Sequence, residues 1–362
     1  MASDAKVSVE DLRRTTEENP RSIVAWRDLA KHLEENRKRT ASSEAWTKVA
    51  VLYLEEDRIK LASEAARRAL WNMDRNPEAL RIEGVLSRDY GHRSSAEKEL
   101  KRSLKFDGSN AQTWTDLGIL YYEMERYKEA EEALGKAILI DPDVLVTQQY
   151  SALVHAETQR LTKAISILKR AEHLAYDADY EFWFHYGIFL WRGGVSDEAT
   201  KTLRRAVRLG RENLRISKEA KRARREIGKL VKRGLPDYDS FIKLGDVFED
   251  TWQNRLAELA YRFASKIDPQ KLDAWILIYD ITSSDRDAEE VIDKAYFIDN
   301  NHPDVLLRQA EEFDKVGMKR EALHTFQESL TKDNAEYVKG RIAEIEEEMM
   351  ECWGGYEPPY DY

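Results

Sequence analysis

The sequence has 362 residues, of which 42% are hydrophobic and 35% are charged, and its formal net charge at pH 7 is −10. With only 8 prolines and 16 glycines, this composition favours long helices with a solvated surface over many strands and turns. No apolar run approaches the roughly 20 residues that span a bilayer, and the single cysteine, Cys352, excludes an internal disulfide. We therefore expect a soluble, intracellular, cytoplasmic protein without membrane insertion.

The first predicted elements are two divergent helices within residues 1–42, where Trp26, Leu29 and Ala30 lie on one helical face. From residue 43 onward, the spacing of large and small apolar residues repeats at a fixed period. Such a period is typical of repeat architectures and replaces the usual division into globular domains.

Residues 111–142 show the repeating pattern most clearly. One face of a first helix carries large and small apolar residues, a polar turn follows at 123–127, and one face of a second helix repeats the arrangement. These residues are Trp114, Leu117, Gly118 and Tyr121 in the first helix and Ala130, Leu134 and Ala137 in the second. The small residues let the two helices approach closely, and Pro142 stops the second one. The segment closely resembles the tetratricopeptide repeat, a family of 34-residue helix-turn-helix units.

Steps of 34 residues extend the pattern along the chain. Residues 43–212 form a first block of about five units, with one residue inserted before the fifth. Ala206 and Ala264 hold equivalent positions 58 residues apart, one period plus 24, which leaves room for one additional helix. The remaining elements are a basic insertion helix at 213–236, a second block of about three units at 237–336, a capping helix at 337–352 and a flexible tail at 353–362.

The resemblance implies an all-α fold, a right-handed α-solenoid of about eight tetratricopeptide-like units with one extra basic helix inserted. Each unit of such an array buries its face only against its neighbours, and the array has a concave groove.

The insertion contains residues 218–234, KEAKRARREIGKLVKRG, with eight Lys or Arg against two Glu. Apolar residues recur from Ile216 to Leu230 at steps of four and three, which predicts an amphipathic helix packed on its neighbours. Seven of its basic residues fall within an arc of roughly 120° opposite that stripe, because successive helical residues are about 100° apart. This basic face consists of Lys218, Lys221, Arg222, Arg225, Lys229, Lys232 and Arg233.

The basic face has several interpretations. Nucleic acid would require such a face, but no aromatic residues are interleaved for base stacking. An acidic protein partner, the chain's own acidic surface downstream of Asp239, and a simply solvated face are the alternatives.

In the family, the first helix of each unit lines the concave groove. The resemblance therefore implies an apolar lining in the middle of the chain, made by Ile119, Tyr122, Tyr150, Leu153, His185, Ile188 and Trp191. It implies an acidic lining toward the C-terminus, which includes Asp246, Glu249, Asp250, Asp280 and Glu311. A peptide or helix of a protein partner, basic toward the C-terminal block, would match both linings. Alternatively, the aromatic residues pack against neighbouring helices and the acidic ones are ordinary solvated surface.

The sequence contains no motif for catalysis, a cofactor or a metal. It has no phosphate-binding glycine loop, no nucleophile elbow and no cysteine pair for zinc, and its seven histidines lie far apart. We expect a non-enzymatic scaffold or adaptor that binds a partner segment in the groove. The alternatives are a nucleic-acid-associated repeat protein that uses the basic helix 215–233, and a regulatory subunit of a separate enzyme.

Overall fold

Helices dominate the computed structural model, which describes residues 8–176, 179–209, 218–282 and 285–352. Over these ranges the chain forms twenty α-helices, one short 3-10 helix at Glu172–Leu174 and no strand. The α-helices are α1 Val9–Glu18, α2 Ile23–Glu35, α3 Arg39–Glu55, α4 Ile59–Asn72, α5 Pro77–Asp89, α6 Arg93–Phe106, α7 Ala111–Glu123, α8 Tyr127–Ile140, α9 Leu145–Glu157, α10 Leu161–Ala171, α11 Tyr180–Arg192, α12 Ser196–Leu209, α13 Lys218–Lys232, α14 Tyr238–Glu249, α15 Asn254–Ile267, α16 Leu272–Ile281, α17 Asp285–Ile298, α18 Pro303–Lys315, α19 Lys319–Glu328 and α20 Ala335–Cys352.

The helices group into consecutive pairs, and the predicted all-α repeat fold is confirmed. Eight pairs match the predicted units, from α3 with α4 to α18 with α19, and α13 is the additional helix. The chain forms two compact units, Met1–Tyr176 and Asp177–Tyr362, which we call the N-terminal and C-terminal modules. The fifth pair, α11 with α12, belongs to the C-terminal module, so the compact boundary lies one pair earlier than the predicted block boundary at 212.

Side-chain caps start several of the first helices at the repeat period. Asn76 and Asn110, 34 residues apart, each accept a hydrogen bond from the backbone N–H three residues later, at 3.1 Å and 2.8 Å. An N-cap amide oxygen satisfies a backbone donor that has no partner within the helix. Asn76 is followed by Pro77, whose ring suits the first helical position.

The turns between paired helices show the repeat period in the backbone itself. Seven of the eight pairs have one residue with positive φ in this turn, Asp57, Gly91, Glu125, Gln159, Gly194, Trp252 and Gly317, and Arg37 has the same conformation between α2 and α3. From Asp57 to Gln159 these residues lie 34 apart, and the next intervals are 35 and 58. These intervals match the predicted inserted residue and the predicted extra helix. In each of these turns the following N–H donates to a carbonyl five residues back, as from Arg126 to Tyr121 at 2.9 Å, which ends the first helix.

Close contact within a pair depends on a small residue in the first helix. A Cβ added at Gly118 would lie 2.6 Å from Cγ of Leu134, sixteen residues later in the second helix. The same spacing relates Gly187 to Leu203, also at 2.6 Å. A larger residue at either position would therefore have to displace the leucine side chain of the second helix.

The insertion helix α13 packs against α12 and α14 within the C-terminal module. Ala223, Ile227 and Leu230 are buried, as the apolar stripe predicted, and Val231 is buried as well. Ile216 lies outside the described residues.

The C-terminal helix α20 covers the last pair, with Val338 and Ile345 fully buried against the cluster around Phe326. Its position fits the predicted cap at 337–352. The predicted tail at 353–362 lies outside the described residues.

Candidate partner-binding surfaces

The first helices of the N-terminal module lie side by side, because α3 contacts α5, α5 contacts α7 and α7 contacts α9. Hydrogen bonds link neighbouring helices in this row. Arg81 on α5 donates to Asp116 on α7 at 2.8 Å, and the hydroxyls of Thr115 and Thr147 join α7 to α9 at 2.8 Å. We call the surface made by Arg81, Arg88, Asp116, Tyr122 and Tyr150 the first-helix face.

Arg81 is a buried cation in this face, with 7% of its surface exposed. Its guanidinium donates to both carboxylate oxygens of Glu78, at 2.7 and 2.9 Å, in addition to Asp116. Burial by itself lowers the pKa of Arg81. The hydrogen bonds to Glu78 and the negative charge of Asp116 outweigh this effect, so its pKa lies above the ordinary value. A charge satisfied in this way orients the two helices rigidly.

Tyr122 and Tyr150, both predicted groove residues, meet on the first-helix face. Their rings pack edge to face with centroids 5.6 Å apart, and both side chains are partly buried. Burial, and then the negative charge of Glu157, raise the pKa of Tyr122 well above its usual range, so the phenol is neutral. The other two predicted groove residues of this module, Ile119 and Leu153, are each only 7% exposed and contribute mainly to the core.

The apolar groove residues predicted in the C-terminal module are not available to a partner in this structure. His185, Ile188 and Trp191 are 6%, 0% and 1% exposed, which contradicts their assignment to an open lining. Aromatic residues of the following pair cover them. Phe241 lies 5.9 Å from the Trp191 ring and Phe263 lies 6.3 Å from the His185 ring, centroid to centroid.

Trp191 also contacts the segment that ends α13. Its indole N–H donates to the carbonyl of Gly234 at 2.6 Å. This bond satisfies the one polar atom of a ring that is otherwise surrounded by apolar side chains. The alternative in which aromatic residues pack against neighbouring helices therefore holds for this module.

Four of the five predicted acidic groove residues, Asp246, Glu249, Asp250 and Asp280, are exposed, and Glu311 is partly buried. Two of them contact the same tyrosine. The hydroxyl of Tyr261 lies 2.9 Å from a carboxylate oxygen of Asp246 and 2.9 Å from one of Glu249.

The acidic residues farther along the chain have partners of their own. Asp280 receives two hydrogen bonds from Arg308, at 2.6 and 2.7 Å, and Glu311 accepts one from Tyr337 at 2.8 Å. The positive charge of Arg308 offsets the negative charge that Asp280 presents on α16.

The basic face of α13 points away from the buried stripe, as predicted. Its residues Lys221, Arg222, Arg225, Lys229, Lys232 and Arg233 are all exposed. The side chain of Lys218 lies outside the described residues. Among the residues that the structure describes, these six make one ion pair, from Lys229 to Glu226 at 2.7 Å within the same helix.

A cleft of about 430 Å³ separates α13 from α14. Arg222, Lys229 and Arg233 line it from α13 together with one carboxylate, Glu226, and Asp246 and Asp250 line it from the α14 side together with one cation, Lys243. Within the described residues, no ion pair joins the two helices. Opposite charges thus face each other across open space.

The sequence model of the family described as "Tetratricopeptide repeat" matches residues 111–144, the segment that contains the Gly118–Leu134 contact and the turn at Glu125. This segment is a tetratricopeptide repeat. No curated protein sequence matches it.

Solved structures similar to this chain include pilF of Pseudomonas aeruginosa, with 16% identity and a TM-score of 0.43, covering 66% of this chain and 96% of that chain. YrrB, described as a TPR protein with an unusual peptide-binding site, has 20% identity and a TM-score of 0.39, covering 59% and 96%. The APC/C hetero-tetramer Cut9-Hcn1 has 14% identity and a TM-score of 0.41, covering 88% and 59%.

Tetratricopeptide repeats form a scaffold for protein interactions and are in general non-enzymatic. In the described part of this chain, no group of three or more His, Cys, Asp or Glu could hold a metal ion. Over the same residues, every helix is too short or too polar to span a membrane.

Sequence reasoning missed two residues of the first-helix face, Arg81 and Arg88. They lie seven residues apart on α5, and Arg88 approaches Glu123 on α7 at 3.8 Å. The signal available was two arginines at helical spacing in one unit and two acidic residues, Asp116 and Glu123, at the same spacing in the next. The covering residues Phe241 and Phe263 had no such signal, because they come from a different helix pair.

Proposed function

We propose that this tetratricopeptide repeat protein is a non-enzymatic scaffold that binds a segment of a protein partner on the first-helix face of its N-terminal module. The observation that carries the proposal is the Tyr122–Tyr150 pair. These two rings come from successive first helices, contact each other at 5.6 Å and remain partly accessible. The proposal includes an intracellular location, in agreement with a sequence that cannot form an internal disulfide.

Tyrosine suits this role because its ring supplies a large contact area and its hydroxyl accepts or donates a hydrogen bond. The face is also preorganised. The Arg81–Asp116 and Thr115–Thr147 hydrogen bonds hold α5, α7 and α9 together before a partner arrives, which lowers the entropy lost on binding.

In the C-terminal module, we propose that exposed acidic residues on the first helices favour a basic segment of the partner. Asp273 on α16 and Asp304 on α18 are exposed, in addition to Asp280. Such surface charges act mainly on association rate and partner selection.

The test is affinity purification with the tagged full chain, with nuclease treatment, followed by quantification of bound proteins. We expect the amount of the main partners recovered with a Tyr122→Ala/Tyr150→Ala variant to fall by about tenfold, since buried tyrosines at an interface are common hot spots. The control is Trp71→Ala, which removes an aromatic ring that is 85% exposed on the second helix α4. The proposal would be ruled out if the double variant kept the helical circular dichroism of the wild type and still retained its partners as fully as the Trp71→Ala control.

A further inference from the structure

The cleft between α13 and α14 has two walls of opposite charge. Arg222, Lys229 and Arg233 are exposed on the α13 wall, which also holds Glu226, and Asp246 and Asp250 are exposed on the α14 wall, which also holds Lys243. The net charge is therefore positive on the first wall and negative on the second. Charged groups that approach each other closely across a protein surface normally pair. Lys229 pairs with Glu226 on its own helix at 2.7 Å. Since no ion pair joins the two helices within the described residues, the charges of Arg222 and Arg233 on one wall and of Asp246 and Asp250 on the other remain available to a third group.

The floor of the cleft is apolar. Ala223 and Leu230 contribute from α13, and Val247 contributes from α14. Ala223 and Leu230 are 3% and 5% exposed, so the floor is part of the packed core and is rigid.

The α13 wall is held in place from the opposite side. Arg204 on α12 donates from Nε to the carbonyl of Arg224 at 2.8 Å. Its guanidinium occupies the space above Gly228, where an added Cβ would lie 2.4 Å from Nη2. The cleft therefore exists before any partner binds.

We propose that this cleft docks an amphipathic helix of a protein partner. The partner helix has a row of carboxylates toward α13, a Lys or Arg toward Asp246 and Asp250, and apolar residues between these two rows. Charge complementarity and the apolar floor both select this arrangement. Arg222 and Arg233 are eleven residues apart, or roughly 16 Å along a helix, which matches about three turns of a partner helix.

Nucleic acid fits the same cleft poorly. Phosphates that approached the three cations would also face Asp246 and Asp250. None of the described residues that line the cleft is aromatic, so these residues offer bases nothing to stack on. This site lies on other helices than the tyrosine pair, so it adds a second interaction surface to the proposed scaffold.

The probe is a fluorescein-labelled 18-residue helical peptide with one row of Glu, one row of Leu and one row of Lys. Its affinity for the full chain is measured by anisotropy at 150 mM salt, with a sequence-scrambled peptide as reference. We expect Arg222→Glu/Lys229→Glu/Arg233→Glu to weaken binding by at least about tenfold. Asp250→Lys should also weaken it, because the basic row of the peptide then meets a like charge.

The matched control is Lys221→Glu/Arg225→Glu/Lys232→Glu, which makes the same change in charge on the same helix but outside the cleft. We expect it to change peptide affinity by less than about threefold at this salt concentration. Equal losses in the two triple variants, or no preference for the peptide over its scrambled form, would overturn the proposal.

A 20-nucleotide single-stranded RNA provides the other arm of the experiment. If both triple variants abolish RNA binding and Asp250→Lys strengthens it, the basic face binds nucleic acid instead, and the proposal is overturned. The Tyr122→Ala/Tyr150→Ala variant should bind the peptide like the wild type. The two proposals therefore fail independently of each other.

Discussion

Gly118 and Gly135 lie in the same helix pair but in opposite surroundings. A Cβ at Gly118 would lie 2.6 Å from Cγ of Leu134 and 3.3 Å from its backbone nitrogen, whereas one at Gly135 would meet no atom within 4 Å. The first glycine is required by close packing. The second only adds the entropic cost of glycine in a helix.

We predict opposite effects of alanine at these two positions. Gly118→Ala should lower the free energy of unfolding by about 1–3 kcal/mol, because Leu134 must leave its place to admit the methyl group. Gly135→Ala should raise it by up to about 1 kcal/mol, since alanine is the better helix former. Urea denaturation followed by circular dichroism measures both. Similar effects of the two substitutions would contradict the packing argument.

His185 is buried among aromatic rings in the C-terminal module, where burial lowers its pKa to about 4. In the unfolded chain a histidine titrates near pH 6.5. Between about pH 6.5 and 4 the unfolded state thus binds more protons than the folded state. The stability that neutral His185 contributes is present above this window and is lost as the pH falls through it.

We predict that acidification from pH 7 to pH 5 destabilises the wild type by about 2 kcal/mol more than it destabilises His185→Phe, given this difference in pKa. Phenylalanine suits the site because Phe189 and Phe263 already surround it. The measurement is urea denaturation of both proteins at each pH. Parallel loss of stability in the two proteins would mean that other groups cause the acid sensitivity.

At the scale of elements, the turn inside seven of the eight helix pairs uses one left-handed residue, whatever its side chain. Gln159 and Gly194 hold this place in consecutive pairs, with φ values of 62° and 77°. A side chain at positive φ costs roughly 1 kcal/mol relative to glycine, because Cβ crowds the following carbonyl. The repeat keeps the turn because its geometry positions the second helix against the first.

We predict reciprocal effects at these two turns. Gln159→Gly should stabilise the chain and Gly194→Gln should destabilise it, each by roughly 1 kcal/mol. Neither side chain position is crowded, since Gln159 is exposed and the nearest atom to an added Cβ at Gly194 is 4.0 Å away. Thermal unfolding of the two variants provides the check, and a shift of the same sign in both would contradict it.

At the scale of the whole molecule, the two modules differ in what surrounds their first helices. In the N-terminal module, α5, α7 and α9 share a face linked by ion pairs and hydrogen bonds. In the C-terminal module, the corresponding side of α11 is covered by Phe241 of α14 and Phe263 of α15. The inserted helix α13 directly precedes this covering pair in the chain. It interrupts the 34-residue period between α12 and α14.

We predict that residues 1–176 fold as an isolated fragment. Their helix pairs bury their core within the module, so the fragment should keep its helical signal and unfold in one cooperative transition. Circular dichroism and urea titration of the purified fragment test this. A fragment that lacks stable helix would show that the C-terminal module is needed for folding.

The helix pairs of the repeat could be predicted from the sequence, whereas the exposure of some of their surface residues could not. The period located the positions of Gly118, Gly187 and the buried stripe from Ala223 to Leu230, since all of these follow from contacts within a pair or along one helix. The exposure of Ile188 and Trp191 could not be predicted in the same way. Both occupy first-helix positions that the family pattern places in the groove, yet both are buried.

The sequence by itself determined the all-α repeat, its helix pairs, its turns and the basic face of α13, because helical periodicity and the size of small residues act over a few turns of chain. Only the tertiary structure decided which first-helix residues reach solvent. That outcome depends on side chains from other pairs, such as Phe241 above Trp191 and Asp116 beside Arg81. The spacing of residues along the chain does not specify how closely such distant side chains approach each other, and this approach controls burial and charge at both candidate surfaces.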